Sequence, residues 1–272
     1  MIVKSSNQLS IYVDRQLAPP MQTRRENRMT TANSAHTVPL TKREEIAEGT
    51  MAFHFAKSAD FQFLAGQSMD LTLLNPPEID AKGNSRTFSI ASAPFENDLM
   101  IATRIRDTAF KRVLRKASPG LQVKIDHPGG SFVLHRKSEK PAVFLAGGIG
   151  ITPFFSIIRQ AGHDKSTHHM YLFYSNRRPE DAAFLDLLSE ATKQNPNFHL
   201  IATMTEMDKS HREWKGETGS INKDMLTKHL PSLQGPIYYL AGPPEMVAAM
   251  RRMLIEAEAD EDDIRTEEFS GY

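Results

Sequence analysis

The chain has 272 residues, of which 40% are hydrophobic and 24% are charged. This is enough for two compact domains and too balanced for a disordered or fibrous protein. Its 33 basic residues equal its 33 acidic residues, so no net positive charge favours nucleic acid as a partner. Cysteine is absent, which excludes disulfides, a thiolate nucleophile and thiolate-held iron–sulfur clusters. No apolar run is long enough for a membrane span, and we expect a cytoplasmic protein.

Residues 1–36 are predicted to form a flexible leader. They contain Pro19-Pro20, a basic stretch at 24–28 and a polar run at 29–34. The apolar patch at 9–13 is too short for the core of a signal peptide. We interpret this segment as a mobile leader rather than a targeting signal or a partner-binding arm. Met29 is an alternative start of the chain.

Residues 37–138 are predicted to form an antiparallel Greek-key β-barrel. Apolar residues alternate with polar ones in four segments, 51–55, 69–73, 99–105 and 121–125. Turn-forming glycine, proline and asparagine residues separate these segments. Short alternating strands between such turns are typical of a small antiparallel barrel. One helical segment, Ala109–Lys116, interrupts the pattern.

Residues 139–272 are predicted to form an α/β domain around a parallel sheet. The continuous apolar run at 142–146 indicates a strand that is buried on both faces. Further strands are predicted at 170–174, 198–204 and 237–241, and helices around 154–161, 184–191 and 247–254. Alternation of strands and helices predicts a parallel sheet with helices on both faces.

The segment Gly147-Gly148-Ile149-Gly150-Ile151-Thr152-Pro153 is the strongest candidate for a ligand-binding loop. It directly follows a predicted buried strand and opens a predicted helix. Glycines let the backbone turn sharply and let a ligand approach closely, and the free N–H groups of a helix start favour a phosphate. We expect Thr152 to cap the helix and Pro153 to lie in its first turn.

Two further motifs are weaker when each is taken alone. Arg86-Thr87-Phe88-Ser89 offers a cation, an aromatic ring and a hydroxyl, but it also fits an ordinary strand with a solvated arginine. Gly242-Pro243 stands at another strand-to-helix junction, where it also fits a simple turn.

In this order and with these separations, the three segments resemble the ferredoxin–NADP reductase family. That family reads R-x-Y/F-S in its flavin barrel, G-G-x-G-x-T-P at the start of its pyridine-nucleotide domain and C/A-G-P-x-x-M near its end. The resemblance covers roughly residues 37–272. It implies a bound flavin, with FAD favoured over FMN, and NADPH or NADH as the co-substrate.

The resemblance assigns the flavin to the barrel. Arg86 would pair with the flavin phosphates through its guanidinium, and Thr87 and Phe88 would line the flavin site, with Phe88 against the ring system. Ser89 would hydrogen-bond near the ring nitrogen that accepts the hydride. The family places small residues at a phosphate-binding helix start. Here Phe110 and Lys111 stand there, so we expect the charge of Lys111 to supplement the backbone donors.

The resemblance assigns the pyridine nucleotide to the second domain. The residues that would line it are Gly147, Gly148, Gly150, Thr152, Pro153, Gly242 and Pro243. Ser175, Arg177 and Arg178 follow the second parallel strand, where the family holds the 2′-phosphate, so we expect NADPH to be preferred. The alternative is that these basic residues form a solvated loop.

The carboxyl end supplies the remaining candidates. Family members place a terminal aromatic segment over the flavin, and here Phe269 and Tyr272 would cover it and move to admit the coenzyme. With Ser89, they are the candidate catalytic residues. The alternative is a last strand at 264–269 with a fraying end.

The resemblance implies an oxidoreductase that moves a hydride from NAD(P)H to FAD and passes electrons to a ferredoxin or flavodoxin. Two alternatives stay open: direct reduction of small acceptors such as free flavin, ferric chelates or quinones, and a regulatory subunit that binds nucleotide without turnover. The histidines show no metal-binding spacing, so no metal site is predicted.

Overall fold

The computed structural model describes residues 35–269. These residues form two six-stranded sheets with their connecting helices and loops. The first sheet is antiparallel and the second is parallel. Residues 1–34 of the predicted leader and residues 270–272 lie outside this range, whereas the first strand begins at His36, one residue inside the predicted leader. Within the described range, no helix is both long and apolar enough to cross a membrane.

The first sheet is the predicted barrel. Its elements are β1 (His36–Ala47), β2 (Thr50–Ala56), β3 (Ser68–Leu73), β4 (Ser85–Ser89), β5 (Asp98–Arg104), α1 (Ala109–Lys116) and β6 (Gln122–Ile125). The strands lie in the order β4-β3-β6-β1-β2-β5, and this non-sequential order is typical of Greek-key connections. The N–H of Ala91 donates to the carbonyl of Met100 at 2.7 Å and joins the end of β4 to β5.

Strand β5 departs from the predicted alternation, because residues 99–103 are all buried. Leu99 and Ile101 pack into the barrel core. Met100 and Ala102 face the other way and join the core of the second sheet. Because Met100 and Ala102 belong to that core, the outer face of β5 is where the two domains pack together. The strand ends at Arg104, one residue before the predicted end at residue 105.

The second sheet confirms the predicted α/β domain. Its elements are β7 (Ala142–Gly147), α2 (Ile151–His163), β8 (Met170–Asn176), α3 (Leu185–Gln194), β9 (Phe198–Met204), β10 (Glu217–Thr218), α4 (Lys223–His229), β11 (Ile237–Gly242), α5 (Pro244–Glu256) and β12 (Ile264–Glu268). The strand order is β10-β9-β8-β7-β11-β12. Succeeding strands are added first on one side of β7 and then on the other. Ligands of such sheets bind at the carboxyl ends of the strands where the order reverses.

Two helices differ in detail from the sequence pattern. Helix α2 continues through Gly162, the predicted stop, to His163. In α3, Leu188 is fully buried against the sheet, but Leu187 is 52% exposed although its spacing suggested the apolar face. Phe184 has a left-handed φ of 61° and stands before the helix, which begins at Leu185. The apolar face therefore does not follow the helical spacing that the sequence pattern counted from Phe184.

A substitution at Gly150 tests the packing of the loop after β7. A Cβ at this position would lie 2.3 Å from the carbonyl oxygen of Ala241, whereas a Cβ at Gly162 would meet nothing within 4 Å. Gly150→Ala should therefore destabilise the protein by about 1–3 kcal/mol, as overpacking does. Gly162→Ala, the matched control, should leave stability unchanged or raise it by up to about 1 kcal/mol. Urea unfolding measures both, and equal effects would contradict this packing.

Candidate functional site

A cavity of about 400 Å³, here called the barrel cavity, lies between the barrel and the start of α2. Its lining residues are Lys82, Arg86, Thr87, Phe88, Ser89, Ala102, Thr103, Arg104, Arg106, Thr108, Phe110, Lys111, Ile149, Thr152 and Phe269. Three of these side chains are aromatic, five are basic and none is acidic. The sequence motif 86–89 and the start of α1 therefore meet in one cavity.

Arg86 is held in place by the loop that precedes β4. Its guanidinium donates to Asp80 at 2.9 Å and to the carbonyl oxygens of Lys82 and Gly83 at 2.8 and 3.0 Å. It also lies over the ring of Phe110, 5.2 Å from the ring centroid. The rings of Phe110 and Phe88 are 5.9 Å apart. Cation and aromatic faces are thus fixed side by side.

Lys111 brings a second cation to the start of α1. Thr108 caps this helix, because its hydroxyl accepts the N–H of Lys111 at 3.3 Å. Burial, followed by the charges of Arg106 and Arg86, lowers the pKa of Lys111 to about 8. Clustered cations that repel one another are stabilised when an anion binds between them. The start of α1 is therefore suited to a phosphate group.

Ser89 contacts a residue that the sequence analysis did not identify. Its hydroxyl donates to Oε1 of Glu267 at 3.1 Å. Burial raises the pKa of the Glu267 carboxyl, and the hydrogen bond from Ser89 offsets this only in part. The other carboxyl oxygen, Oε2, has no hydrogen-bond partner among residues 35–269. A buried serine and carboxyl thus form one wall beside the barrel cavity.

Alternate residues of β12, the last strand, hold this wall in position. Arg265 donates to the carbonyl of Val133 at 2.9 Å and to the hydroxyl of Tyr239 at 3.1 Å. Glu267 meets Ser89, and Phe269 lines the barrel cavity. The predicted last strand is therefore present as β12, and its end lies beside the cavity. Tyr272 is outside the described residues.

The glycine loop after β7 is built around close packing. A Cβ at Gly147 would lie 2.3 Å from the sulfur of Met246. Gly148 has a left-handed φ of 52°, which glycine adopts without strain. Gly150 packs against Ala241 and does not line the barrel cavity. The loop is thus closely packed at Gly147 and Gly150 and left-handed at Gly148.

The prediction that Thr152 caps α2 is wrong. Residues 148–150 form a tight turn, so the helix begins at Ile151 and its N-cap is Gly150. The hydroxyl of Thr152 donates to the carbonyl of Ile149 at 3.1 Å and its side chain lines the barrel cavity. Pro153 lies in the first turn, as predicted, but does not line the barrel cavity.

A second cavity of about 450 Å³, here called the glycine groove, opens at the carboxyl ends of the parallel strands. Its lining residues are Arg104, Arg106, Gly147, Gly148, Ser175, Asn176, Arg177, Thr205, Pro243 and Met246. Arg104 and Arg106 line both cavities, which therefore adjoin. Gly242 supports Gly147 from behind and lines neither cavity.

Arg178 does not reach the glycine groove, in contrast to the sequence-based expectation. Its guanidinium donates to both carboxyl oxygens of Asp181, at 2.9 and 3.0 Å, and to Glu48 at 2.9 Å. A bidentate pair with a neighbouring carboxylate holds an arginine firmly. Ser175 and Arg177, in contrast, line the groove.

The residues that sequence reasoning missed all lie at or near the carboxyl end of a strand. They are Arg104, Arg106, Asn176, Thr205 and Glu267. The rule that ligands bind at strand carboxyl ends could have indicated Asn176 and Thr205.

A third cleft, of about 810 Å³, lies beside the amino-terminal half of β9, away from the sequence motifs.

The two cavities fit the cofactors that the sequence implies. The barrel cavity combines aromatic faces for a flavin ring with basic side chains for its diphosphate. The glycine groove gives a dinucleotide close backbone approach at Gly148 and cations at its sides.

Comparisons with known proteins agree. Residues 144–252 match the oxidoreductase NAD-binding domain family. The chain is 27% identical over 212 residues to ferredoxin–NADP reductase B of Sorangium cellulosum, covering 75% of this chain and 83% of that protein. It is 28% identical over 212 residues to the phenol hydroxylase P5 protein of Acinetobacter pittii, covering 76% of this chain. It spans 58% of the length of that relative.

The same fold occurs in a solved structure, the ferredoxin NADP⁺ reductase of Neisseria gonorrhoeae with bound FAD and NADP. The TM-score is 0.72 and the identity 20%, with 86% of this chain and 98% of that chain covered. The chain is therefore similar in sequence and in fold to the ferredoxin–NADP reductase-like oxidoreductases, with an antiparallel sheet domain followed by a parallel-sheet α/β domain.

If a flavin diphosphate binds at the start of α1, we expect its affinity to depend on pH through Lys111. Below its pKa of about 8 the ammonium is charged and would attract the diphosphate. Above that pKa a proton must be taken up on binding, so the association constant should fall by up to about tenfold per pH unit. In Lys111→Arg the fall should disappear, because arginine stays charged. Flavin fluorescence quenching measures the constants, and an identical fall in this variant would contradict the role of Lys111.

Proposed function

We propose that this protein is a reductase that moves a hydride from NAD(P)H to bound FAD and passes the electrons to a separate redox protein. The observation that carries this proposal is the sharing of Arg104 and Arg106 by the barrel cavity and the glycine groove. A flavin in one cavity and a nicotinamide from the other would then be neighbours. We assign residues 37–138 to the flavin domain and 139–272 to the nucleotide domain.

The flavin, when bound, supplies the redox chemistry. Arg86 and Lys111 would bind its phosphates, since both cations line the barrel cavity and no acidic side chain does. Phe88 would pack against the ring system. Ser89 would keep its oxygen lone pairs available to the cavity, because its proton points to Glu267. Phe269 would limit the access of water from the other side.

The pyridine nucleotide would lie along the glycine groove. Gly147, Gly148 and Pro243 would let its diphosphate approach the backbone. Thr152 would contact the nicotinamide end, since its side chain lines the barrel cavity beside the groove. Hydride transfer needs no general base, so we assign none here.

A ferredoxin or flavodoxin is the electron acceptor that we favour. The curated relatives support this, because one is a ferredoxin–NADP reductase and another is the reductase component of a propane 2-monooxygenase. Small acceptors, namely free flavin, ferric chelates and quinones, are the alternative. A screen of reduced protein against native ferredoxins, flavodoxins and these small acceptors separates the two possibilities. A regulatory subunit without turnover is disfavoured, since both cavities are intact.

Removing Arg86 tests the flavin assignment. The loss of a charge-assisted phosphate contact should cost about 1.5–3 kcal/mol, or roughly ten- to a hundredfold in affinity. Arg86→Ala should purify folded but with depleted flavin. The control is Arg112→Ala, in the first turn of α1, whose guanidinium pairs with Glu78 and Asp107 outside the cavity. Full flavin occupancy in Arg86→Ala would overturn the assignment.

Removing residues 269–272 tests whether the terminal aromatic segment covers the flavin. Phe269 lines the barrel cavity, so its loss should shift the flavin absorbance and alter the rate of flavin reduction. Affinity for ADP-ribose, which lacks nicotinamide, should stay the same because the glycine groove is unchanged. If spectrum and reduction rate are both unaltered, the segment is only a trailing end.

A further inference from the structure

The third cleft, of about 810 Å³ and here called the edge cleft, lies along β9. Five consecutive residues of this strand line it, 198–202. Their side chains point alternately to opposite faces of the sheet, since Phe198 and Ala202 belong to the core on one face and Ile201 to the core on the other. Five consecutive residues can line one cleft together only along the edge of the strand. The edge cleft therefore lies against the main chain of β9.

This edge of β9 is unpaired over most of its length. In the described part of the chain, β10 pairs with β9 only at Thr203 and Met204. The carbonyl of Met204 accepts the N–H of Gly219 at 2.9 Å, so Met204 directs its main-chain groups toward β10. Alternate residues of a strand direct these groups to the same side, so the N–H groups of Leu200 and Ala202 face the edge cleft. Such an edge is a template for another strand.

The edge cleft also has walls for the side chains of an added strand. The rings of Tyr171 and His199 stack on one face of the sheet, with their centroids 4.7 Å apart. Thr192 and Pro196, from the end of α3 and the turn that follows it, line the cleft on the other face. An extended segment beside β9 would thus find support for side chains that point to either face.

The charges around the edge cleft favour an acidic segment. Lys215 and Lys228 line it, and Lys215 is exposed and has no ion-pair partner among residues 35–269. One acidic side chain also lines it, Glu217, which already pairs with Lys228 at 2.6 Å and with His229 at 2.8 Å. The edge cleft therefore presents the unpaired positive charge of Lys215 to a ligand.

We propose that the free edge of β9 binds an extended acidic segment of a partner protein as an added strand of the parallel sheet. Main-chain hydrogen bonds to Leu200 and Ala202 would supply affinity, and Lys215 would select acidic side chains. A second copy of this chain fits less well, because it would bring the same lysines to the same edge. The bound segment would leave the glycine groove open, since that groove lies at the carboxyl ends of the strands.

Fluorescence anisotropy of a labelled peptide, titrated with the purified full-length protein, tests the proposal. The probe is an eight-residue peptide of alternating valine and glutamate with both ends blocked. One control peptide carries lysine in place of glutamate and should bind at least about tenfold more weakly. The other is N-methylated at alternate residues, so it keeps its charge but cannot donate main-chain hydrogen bonds along that edge. N-methylation should weaken binding roughly ten- to a hundredfold.

A charge reversal and hydrogen exchange locate the site. Lys215→Glu should weaken binding of the valine–glutamate peptide about three- to tenfold, because an attractive charge contact becomes repulsive. The matched control is Lys116→Glu, an exposed lysine of the barrel that does not line the edge cleft, and it should leave the affinity unchanged. Saturating peptide should slow hydrogen exchange at the amides of Leu200 and Ala202 by about tenfold or more.

The other outcomes overturn the proposal. Equal affinity for the N-methylated peptide means that charge alone binds the probe, without strand addition. Equal affinity for the lysine peptide, or an unchanged affinity in Lys215→Glu, contradicts an acidic partner. A probe that does not bind at millimolar concentration, or that leaves exchange at Leu200 and Ala202 unchanged, contradicts the site. If sedimentation shows dimers that protect these amides without peptide, the occupant is a second copy and the acidic partner is wrong.

Discussion

The hydrogen bond from Ser89 to Glu267 joins the last residue of a barrel strand to the last strand of the parallel sheet, 178 residues away. Both groups are buried, so neither can exchange the other for water without cost. The relative position of the two sheets at this point sets the width of the barrel cavity. Arg265 fixes the same strand against Val133 and Tyr239, which keeps Glu267 at the depth of Ser89.

The contiguous parts of the site could be predicted from the sequence. The segment 147–153 and the motif 86–89 could be recognised as ligand-site candidates, because each lies on one strand end and its neighbouring turn. Helix α1 has the predicted bounds, Ala109–Lys116, because its apolar residues all face the barrel core. The switch from period two to buried strands near residue 140 likewise separates the two sheets. Local propensity and tertiary packing agree in these segments.

The parts that failed depend on contacts between residues far apart in the chain. Arg178 has the right residue type beside the groove, but Glu48, 130 residues away, and Asp181 bind its guanidinium. Glu267 reads as one more acid in a charged segment until β12 places it against Ser89. Asn176 reads as an ordinary polar residue until the fold brings the end of β8 to the glycine groove.

Anaerobic reduction of the purified full-length protein tests the central claim, that the barrel cavity and the glycine groove bring a flavin and a nicotinamide together. The account predicts a yellow protein that carries FAD and loses its visible flavin absorbance when NADH is added in equimolar amount. With NADH deuterated at the transferred position, the bleaching should show a primary isotope effect. A colourless protein, or a yellow one whose absorbance neither NADH nor NADPH changes, would contradict the account.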